Sequence, residues 1–304
     1  MTNLIRYRNS APFISKKLIQ YHGISNPSPG FVQRVSQAFI SGSFSSGGIT
    51  FGASKYGDLK AVAAAISLDP ESLSHVVDDD PTSGNIREPL LKVMQILRSL
   101  TFQRRSKVKF RHGLLENMSY KIGQFVFDPP DQFSFFSHDY SPPGVFAETG
   151  LASPESEALS MSSVVGIMNG FISLVDYGLA NHDGGFGPYI TKPPKLVGDY
   201  TTSVGQLRYR TTNNTISVSN MVEELSTLMT AGRLSAENKQ VMLDAHAFFM
   251  TNNGTASADR VLVKLFAATP EFHTSNTGNS LLPTLCNYCT TISLLTNCCS
   301  FVIL

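Results

Sequence analysis

Two His-Asp pairs are the side chains of this sequence best suited to metal chemistry. His138-Asp139 and His182-Asp183 lie in stretches rich in proline or glycine, which predicts loops. Two imidazoles and two carboxylates form a ligand set that suits a transition metal. The spacing does not place the two loops side by side, so the four residues stand as candidates only. No cofactor follows from the sequence.

An acidic run and a cysteine-containing tail are two further features with metal-binding side chains. Asp78, Asp79 and Asp80 are contiguous, whereas a calcium loop takes its oxygens from alternate positions, so we interpret the run as a capped turn between helices. The four cysteines lie in the last nineteen residues: Cys286, Cys289, Cys298 and Cys299. Adjacent cysteines do not easily fill two tetrahedral positions, which argues against a zinc site in this tail. We therefore expect residues 277–304 to lie outside the fold.

The sequence contains no recognisable nucleophile or phosphate-binding motif. It has no Gly-x-Ser-x-Gly elbow and no cysteine before residue 286. The run Gly184-Gly-Phe-Gly187 lacks the strand and helix that flank a dinucleotide-binding or triphosphate-binding loop. We interpret it as a tight backbone turn.

An aromatic segment and a basic run each have two interpretations. The rings could line a groove for a sugar or an apolar chain, or they could seal a helical core, which we favour. They are Phe125, Phe127, Phe133, Phe135, Phe136, Tyr140 and Phe146. The basic run could contact RNA, or it could be a solvated loop, which we favour. It comprises Arg104, Arg105, Lys107, Lys109 and Arg111.

The composition does not point to nucleic acid or a membrane as a partner. The 304 residues carry a formal net charge of +1, so no global charge attracts nucleic acid or an anionic membrane. No stretch reaches the roughly 18 apolar residues of a membrane span. The amino terminus lacks the apolar region of a signal peptide, and the compartment is left open.

The elements that position these residues are helices separated by long loops. Apolar residues recur at helical spacing in several segments, which predicts an all-α fold. The segments are 29–41, 59–68, 89–102, one that begins at Ser153 with Ser153 as its cap, 219–229, 235–249 and 258–268. In the segment 89–102 the predicted apolar stripe is Leu90, Val93, Met94, Leu97 and Leu100. A polar, irregular stretch at 181–215 is a possible subdomain boundary within a domain spanning residues 1–276.

The order of the short motifs resembles the carboxy-terminal half of a large bacterial family, DUF1800. The motifs extend from about Pro12 to about Asn276. They include Pro12-Phe-Ile-Ser, Tyr56-Gly-Asp58, Arg87-Glu-Pro-Leu-Leu91, Tyr140-Ser-Pro-Pro-Gly144, Leu151-Ala-Ser-Pro-Glu155, Ala231-Gly-Arg-Leu-Ser235 and Ala268-Thr-Pro-Glu-Phe-His273. The resemblance departs at His138-Asp139, where a Pro-Glu pair is expected, and the tail after Asn276 matches nothing in the family.

The resemblance implies a helical fold and no mechanism, because the family is one of unknown function. It also implies that the family's front half, with its His- and Arg-bearing motifs, precedes this chain. Members often carry export signals, which leaves export of the complete protein open.

Three functions remain as hypotheses. The first is a non-enzymatic scaffold or interaction domain with a protein partner, for which the low fraction of charged residues, 15%, and the aromatic loops argue. The second is part of a metal-dependent hydrolase-like enzyme whose other ligands lie in the front half. The third, which we favour least, is nucleic-acid binding through the basic run.

Overall fold

The protein is mainly helical, as the sequence predicts. The computed structural model describes residues 7–22, 24–73, 80, 82–105, 114–130, 134–189, 194, 196–209 and 217–275. This part of the chain holds twelve α-helices, one 3₁₀ helix and two small antiparallel two-stranded sheets. No described helix is long and apolar enough to cross a membrane. The cysteine-containing tail lies outside the described residues.

The described residues form two compact units that divide between Gly84 and Asn85. The stretch 181–215, where the sequence suggests a subdomain boundary, falls inside the second unit. Each unit has its own cluster of buried apolar side chains.

The first unit consists of four helices and a hairpin. The helices are α1 (Ser10–Tyr21), α2 (Pro29–Ser41), α3 (Leu59–Ser67) and α4 (Pro70–Leu73), and the strands are β1 (Phe44–Ser46) and β2 (Ile49–Phe51). Asp58 caps α3, since its carboxylate accepts from the Lys60 amide at 2.9 Å. Ser28 caps α2 and also binds the Glu71 carboxylate, which joins the start of α2 to α4.

The second unit contains the remaining elements. In chain order they are α5 (Pro89–Ser99), β3 (Phe102–Arg104), α6 (Leu114–Ile122), α7 (Val145–Thr149), the 3₁₀ helix (Pro154–Ala158), α8 (Met161–Tyr177), β4 (Gly205–Leu207), α9 (Val218–Thr230), α10 (Ala236–Asn253), α11 (Thr255–Ala268) and α12 (Pro270–His273). Strand β3 pairs with β4, with Phe102 opposite Leu207. Phe171 of α8 lies at the centre of the core, edge-on to the rings of Phe186 and Phe272.

Three predictions about helices need correction. Helix α5 ends at Ser99, because Phe102 enters a strand. Its buried face carries Lys92, Val93, Ile96 and Leu100, whereas Met94 is exposed, so the predicted stripe was rotated. Ser153 precedes a short 3₁₀ helix without capping it, and Ser160 caps the long helix α8 that follows.

The contact between α6 and α8 depends on a glycine. A Cβ placed on Gly166 of α8 would meet the backbone carbonyl oxygen of Lys121 in α6, which cannot move aside without displacing its helix. The absence of a side chain therefore allows the two helices to approach at this point.

We expect Gly166→Ala to lower the free energy of unfolding of the second unit by about 1–3 kcal/mol, because the added methyl group overpacks the contact. Gly30→Ala in α2 is the matched control, since a Cβ there meets only the end of the Arg34 side chain and the Ser28 hydroxyl. Urea unfolding followed by circular dichroism measures both. A Gly166→Ala protein as stable as the control would contradict the close contact.

Candidate functional site

Four separate segments of the second unit meet around the start of α5. They are the chain at 85–88, the 3₁₀ helix, the turn 231–235 and α12 with the residues that follow it. Main-chain bonds join the first to the last: the Arg87 amide donates to the His273 carbonyl at 2.8 Å, and the Ser275 amide donates to Asn85 at 2.9 Å. The charged cluster is the set of ionisable side chains held here. Its members are Arg87, Lys92, Glu155, Arg233, Glu271 and His273.

The two arginines of the cluster bind main-chain carbonyls. Arg87 donates from Nη1 to the Phe272 carbonyl at 2.8 Å, and its guanidinium lies over the Phe272 ring. Arg233 donates from Nη2 to the carbonyls of Glu271 and Thr274, each at 3.0 Å. Burial lowers the pKa of Arg87, and the nearby charge of Arg233 lowers it further. The two cations therefore repel each other.

Lys92 is one of the two most deeply buried ionisable side chains of the cluster. Lys92 and Glu271 are each 1% exposed. Burial lowers the pKa of Lys92 to about 8, and the charge of Arg87 acts in the same direction, while Glu155 opposes both. A buried ammonium without a hydrogen-bond acceptor costs several kcal/mol.

Glu155 supplies a carboxylate near Lys92. Its Oε1 accepts from the Asn85 amide group at 3.2 Å, whereas its Oε2 is buried and has no hydrogen-bond partner. Burial raises the pKa of Glu155, and the charge of Glu88 adds to this effect. Glu88 accepts a hydrogen bond from the Gln124 side chain, which also binds the Leu90 amide. The carboxyl group of Glu155 therefore binds its proton more tightly than an exposed glutamate does.

His273 contributes a neutral ring to the cluster. Its Nε2 lies 2.9 Å from the Ala267 carbonyl, which can only accept, so Nε2 carries the proton and Nδ1 keeps its lone pair. Because the ring is largely enclosed and Lys92 and Arg87 are close, the pKa of His273 falls to about 3. The imidazole is thus uncharged at neutral pH.

Glu271 fixes the turn 231–235. Its Oε1 accepts from the Asn238 side chain at 2.8 Å and from the Ser235 amide at 3.3 Å. Glu271 is 1% exposed, so these bonds lie in the interior. Together with the Arg233 bonds, they hold α9, α10 and α12 in one arrangement.

A second feature of this unit is an exposed apolar surface on α6 and α8. In α8, Met161, Val164 and Val165 follow helical spacing and are 81%, 41% and 51% exposed. Tyr120, next to Lys121 at the contact of α6 with α8, is 68% exposed. Phe127, just beyond α6, is 89% exposed and has a positive φ of 66°. We call these five residues the α6–α8 apolar surface.

The two His-Asp pairs do not form one site. Among the described residues, no three His, Cys, Asp or Glu side chains lie close enough to share a metal ion, and this includes His138, Asp139, His182 and Asp183. His182 lies 3.5 Å from Asp183 and packs edge-on against the Tyr177 ring. The hydrolase hypothesis places its other ligands outside this chain and stays a prediction.

The other sequence motifs have local roles where they are described. The Gly184-Gly185 segment turns tightly, with the Gly185 amide donating to the His182 carbonyl at 2.8 Å. Asp80 accepts from the Thr82 amide, and Arg105 donates to the Tyr200 carbonyl. Asp78, Asp79, Lys107, Lys109, Arg111 and Phe133 lie outside the described residues. The rest of the aromatic segment is half-buried, apart from Phe127.

Comparison with protein families agrees with the motif order. The family model described as "Protein of unknown function (DUF1800)" matches residues 1–274. The chain belongs to the DUF1800 family. No curated protein and no solved structure matches it.

The motifs of this DUF1800 chain supply most of the charged cluster. Arg87, Glu155, Arg233, Glu271 and His273 each lie within a motif on which the resemblance rests, and Lys92 follows one directly. Sequence reasoning treated these motifs one by one and did not bring them together. One signal in the sequence indicated that Lys92 faces the core: it lies four residues before Ile96 and so shares the same face of the helix.

We expect Lys92→Met to stabilise the protein at pH 7, because methionine fills similar space without a buried charge. The wild-type pKa of about 8 lies below the usual 10.5, so the unfolded chain holds more protons between these values. Wild-type stability should therefore rise by roughly 3 kcal/mol across that interval, at about 1.4 kcal/mol per pKa unit. The Lys92→Met protein should lack this rise.

Denaturant unfolding at a series of pH values measures this difference. Lys239→Met is the matched control, since Lys239 pairs with Glu223 on the surface and its loss should change stability little. Equal pH profiles for wild type and Lys92→Met would show that Lys92 is not a buried, uncompensated cation.

Proposed function

We propose that this chain is a helical scaffold that binds a protein partner through the α6–α8 apolar surface. The supporting observation is the exposed stripe of Met161, Val164 and Val165 on a helix whose opposite face is fully used. Ile167, Phe171 and Leu174 of the same helix are each at most 2% exposed and belong to the core. An apolar stripe that is not needed for the core is available for a partner.

The geometry of α6 adds a second apolar contribution. Tyr120 precedes Lys121 in α6, and Val165 precedes Gly166 in α8, where these two helices are in contact. The two exposed side chains therefore extend from helices that pack against each other. An aromatic residue beside aliphatic ones is typical of the centre of a protein interface, where tyrosine and methionine are enriched.

The conformation of Phe127 favours a binding role for the same region. A positive φ at a bulky residue costs of order 1 kcal/mol or more. The side chain is almost fully exposed, so packing within this chain does not offset that cost. Burial of the Phe127 ring against a partner would offset the cost of this backbone conformation.

The rigid framework needed for such a surface is present. Gly166 brings α6 and α8 together, and the core side of α8 packs against the rings of Phe186 and Phe272. The surface is therefore ordered before a partner arrives, which reduces the entropy lost on binding.

Site-specific photocrosslinking tests this proposal. A benzophenone side chain at Val165 should yield a discrete protein adduct in extracts of cells that produce the protein. Val241 of α10 is the matched control, because it is also a valine and is 59% exposed. Adducts at both positions alike, or at neither, would contradict a specific surface on α8.

The affinity of the chain for the purified partner then measures how much each exposed side chain contributes to binding. Val165→Ser should raise the dissociation constant roughly tenfold, because the complex would lose the burial of one aliphatic side chain. Val241→Ser should leave it unchanged. Equal affinities of the two variants would contradict the assignment of the surface, provided that both retain wild-type thermal stability.

A further inference from the structure

Two Asn-Gly dipeptides occur in this chain, and they lie in different surroundings. One is Asn169-Gly170 in α8, and the other is Asn253-Gly254 where α10 meets α11. The asparagine of such a dipeptide can lose its side-chain amide without an enzyme, because the main-chain nitrogen of the glycine can attack the asparagine side chain. The reaction requires a main chain that can leave its helical conformation, so the surroundings of each dipeptide decide whether it occurs.

The dipeptide Asn253-Gly254 lies at an exposed junction between helices. Helix α10 ends at Asn253 and α11 begins at Thr255, so Gly254 alone connects them. The φ of 80° and the ψ of 168° at Gly254 fall in a region that glycine alone adopts readily. Asn253 and Gly254 are both exposed, and a Cβ built on Gly254 would meet no described atom within 4 Å. Since helix ends fray more easily than helix centres, this dipeptide can reach the reactive geometry.

The dipeptide Asn169-Gly170 is held in the interior of α8, which extends from Met161 to Tyr177. Gly170 is buried, and a Cβ built on it would overlap the ring of Phe186. The peptide between the two residues lies in the regular hydrogen-bonded part of the helix, so its rotation would break helical hydrogen bonds and disturb the core. We therefore expect the fold to protect Asn169.

We propose that Asn253 is a site of spontaneous deamidation in the folded protein, with water as the co-reactant. The main-chain nitrogen of Gly254 attacks Cγ of Asn253 and forms a C–N bond. The side-chain nitrogen leaves as ammonia and takes up, through solvent, the proton that the Gly254 amide loses. Water then opens the cyclic imide at either of its two carbonyl carbons. The products carry aspartate or isoaspartate in place of Asn253, and in the isoaspartate the main chain runs through the former side chain.

The modification changes the connection between α10 and α11. Both products place a carboxylate between the negative end of the α10 dipole and the positive end of the α11 dipole, so the two effects of the new charge oppose each other. Isoaspartate also adds one carbon atom to the main chain at a connection that is a single residue long. The lengthened connection should loosen the packing of the two helices.

Incubation of the folded full chain in heavy-oxygen water at mildly alkaline pH, followed by peptide mapping with mass spectrometry, tests the site. Heavy oxygen should enter residue 253 roughly tenfold faster than residue 169 or more, because fraying of a helix end costs less free energy than opening of α8. Asn252, whose side chain donates to the Phe248 carbonyl at 2.7 Å and which no glycine follows, should keep its amide. The same incubation in urea should modify both Asn-Gly dipeptides, since unfolding removes the protection of Asn169.

Two variants separate the effects of charge and of main-chain length. Asn253→Gln should keep its amide during the incubation, because a glutamine would have to close a larger ring. Freshly prepared Asn253→Asp carries the new charge on an unaltered main chain, and it should melt at a higher Tm than the purified isoaspartate form. Equal Tm values for these two proteins would contradict the effect on the connection. The proposal is overturned if Asn253 stays intact in the folded chain, or if Asn253 and Asn169 react there at the same rate.

Discussion

The two arginines of the charged cluster bind main-chain carbonyls. Arg233 donates to the carbonyls of Glu271 and Thr274, and Arg87 donates to that of Phe272. A carbonyl satisfies a donor without carrying a full negative charge. The charge of Arg233 lowers the pKa of Arg87, and the charge of Arg87 lowers that of Lys92. The elements around the cluster are arranged so that the hydrogen bonds of both arginines are kept.

Elements distant in the sequence meet because of this constraint. Residues 85–87 pair with residues 273–275, which joins the first and last described segments of the unit. Glu271 then fixes the start of α10 through Ser235 and Asn238, and Phe272 inserts its ring against Phe171. The same residues of α12 thus serve the charged cluster and the apolar core, and α8 presents its other face to solvent.

Local features of this fold could be predicted from the sequence, and the cluster could not. The caps Asp58 of α3 and Ser235 of α10 are recognisable in the sequence, because capping depends only on a side chain and the amides that follow it. Helix α6 was not predicted, and α8 was assigned to the wrong cap, since the Ser-Pro at 153–154 offered a competing start signal. The rotation of the α5 stripe has another cause: Lys92 takes a core position that an apolar pattern assigns to leucine. The meeting of four motifs depends on long-range packing, which spacing along the chain does not encode.

The account depends most on Lys92 being a deeply buried cation. The most direct measurement is an NMR titration of the Lys92 side chain, followed at its Cε resonance in protein freed of small anions. The account predicts a pKa near 8 for Lys92. A pKa near the ordinary 10.5 would mean that the ammonium is solvated or paired, and it would contradict the charge arrangement described for the cluster.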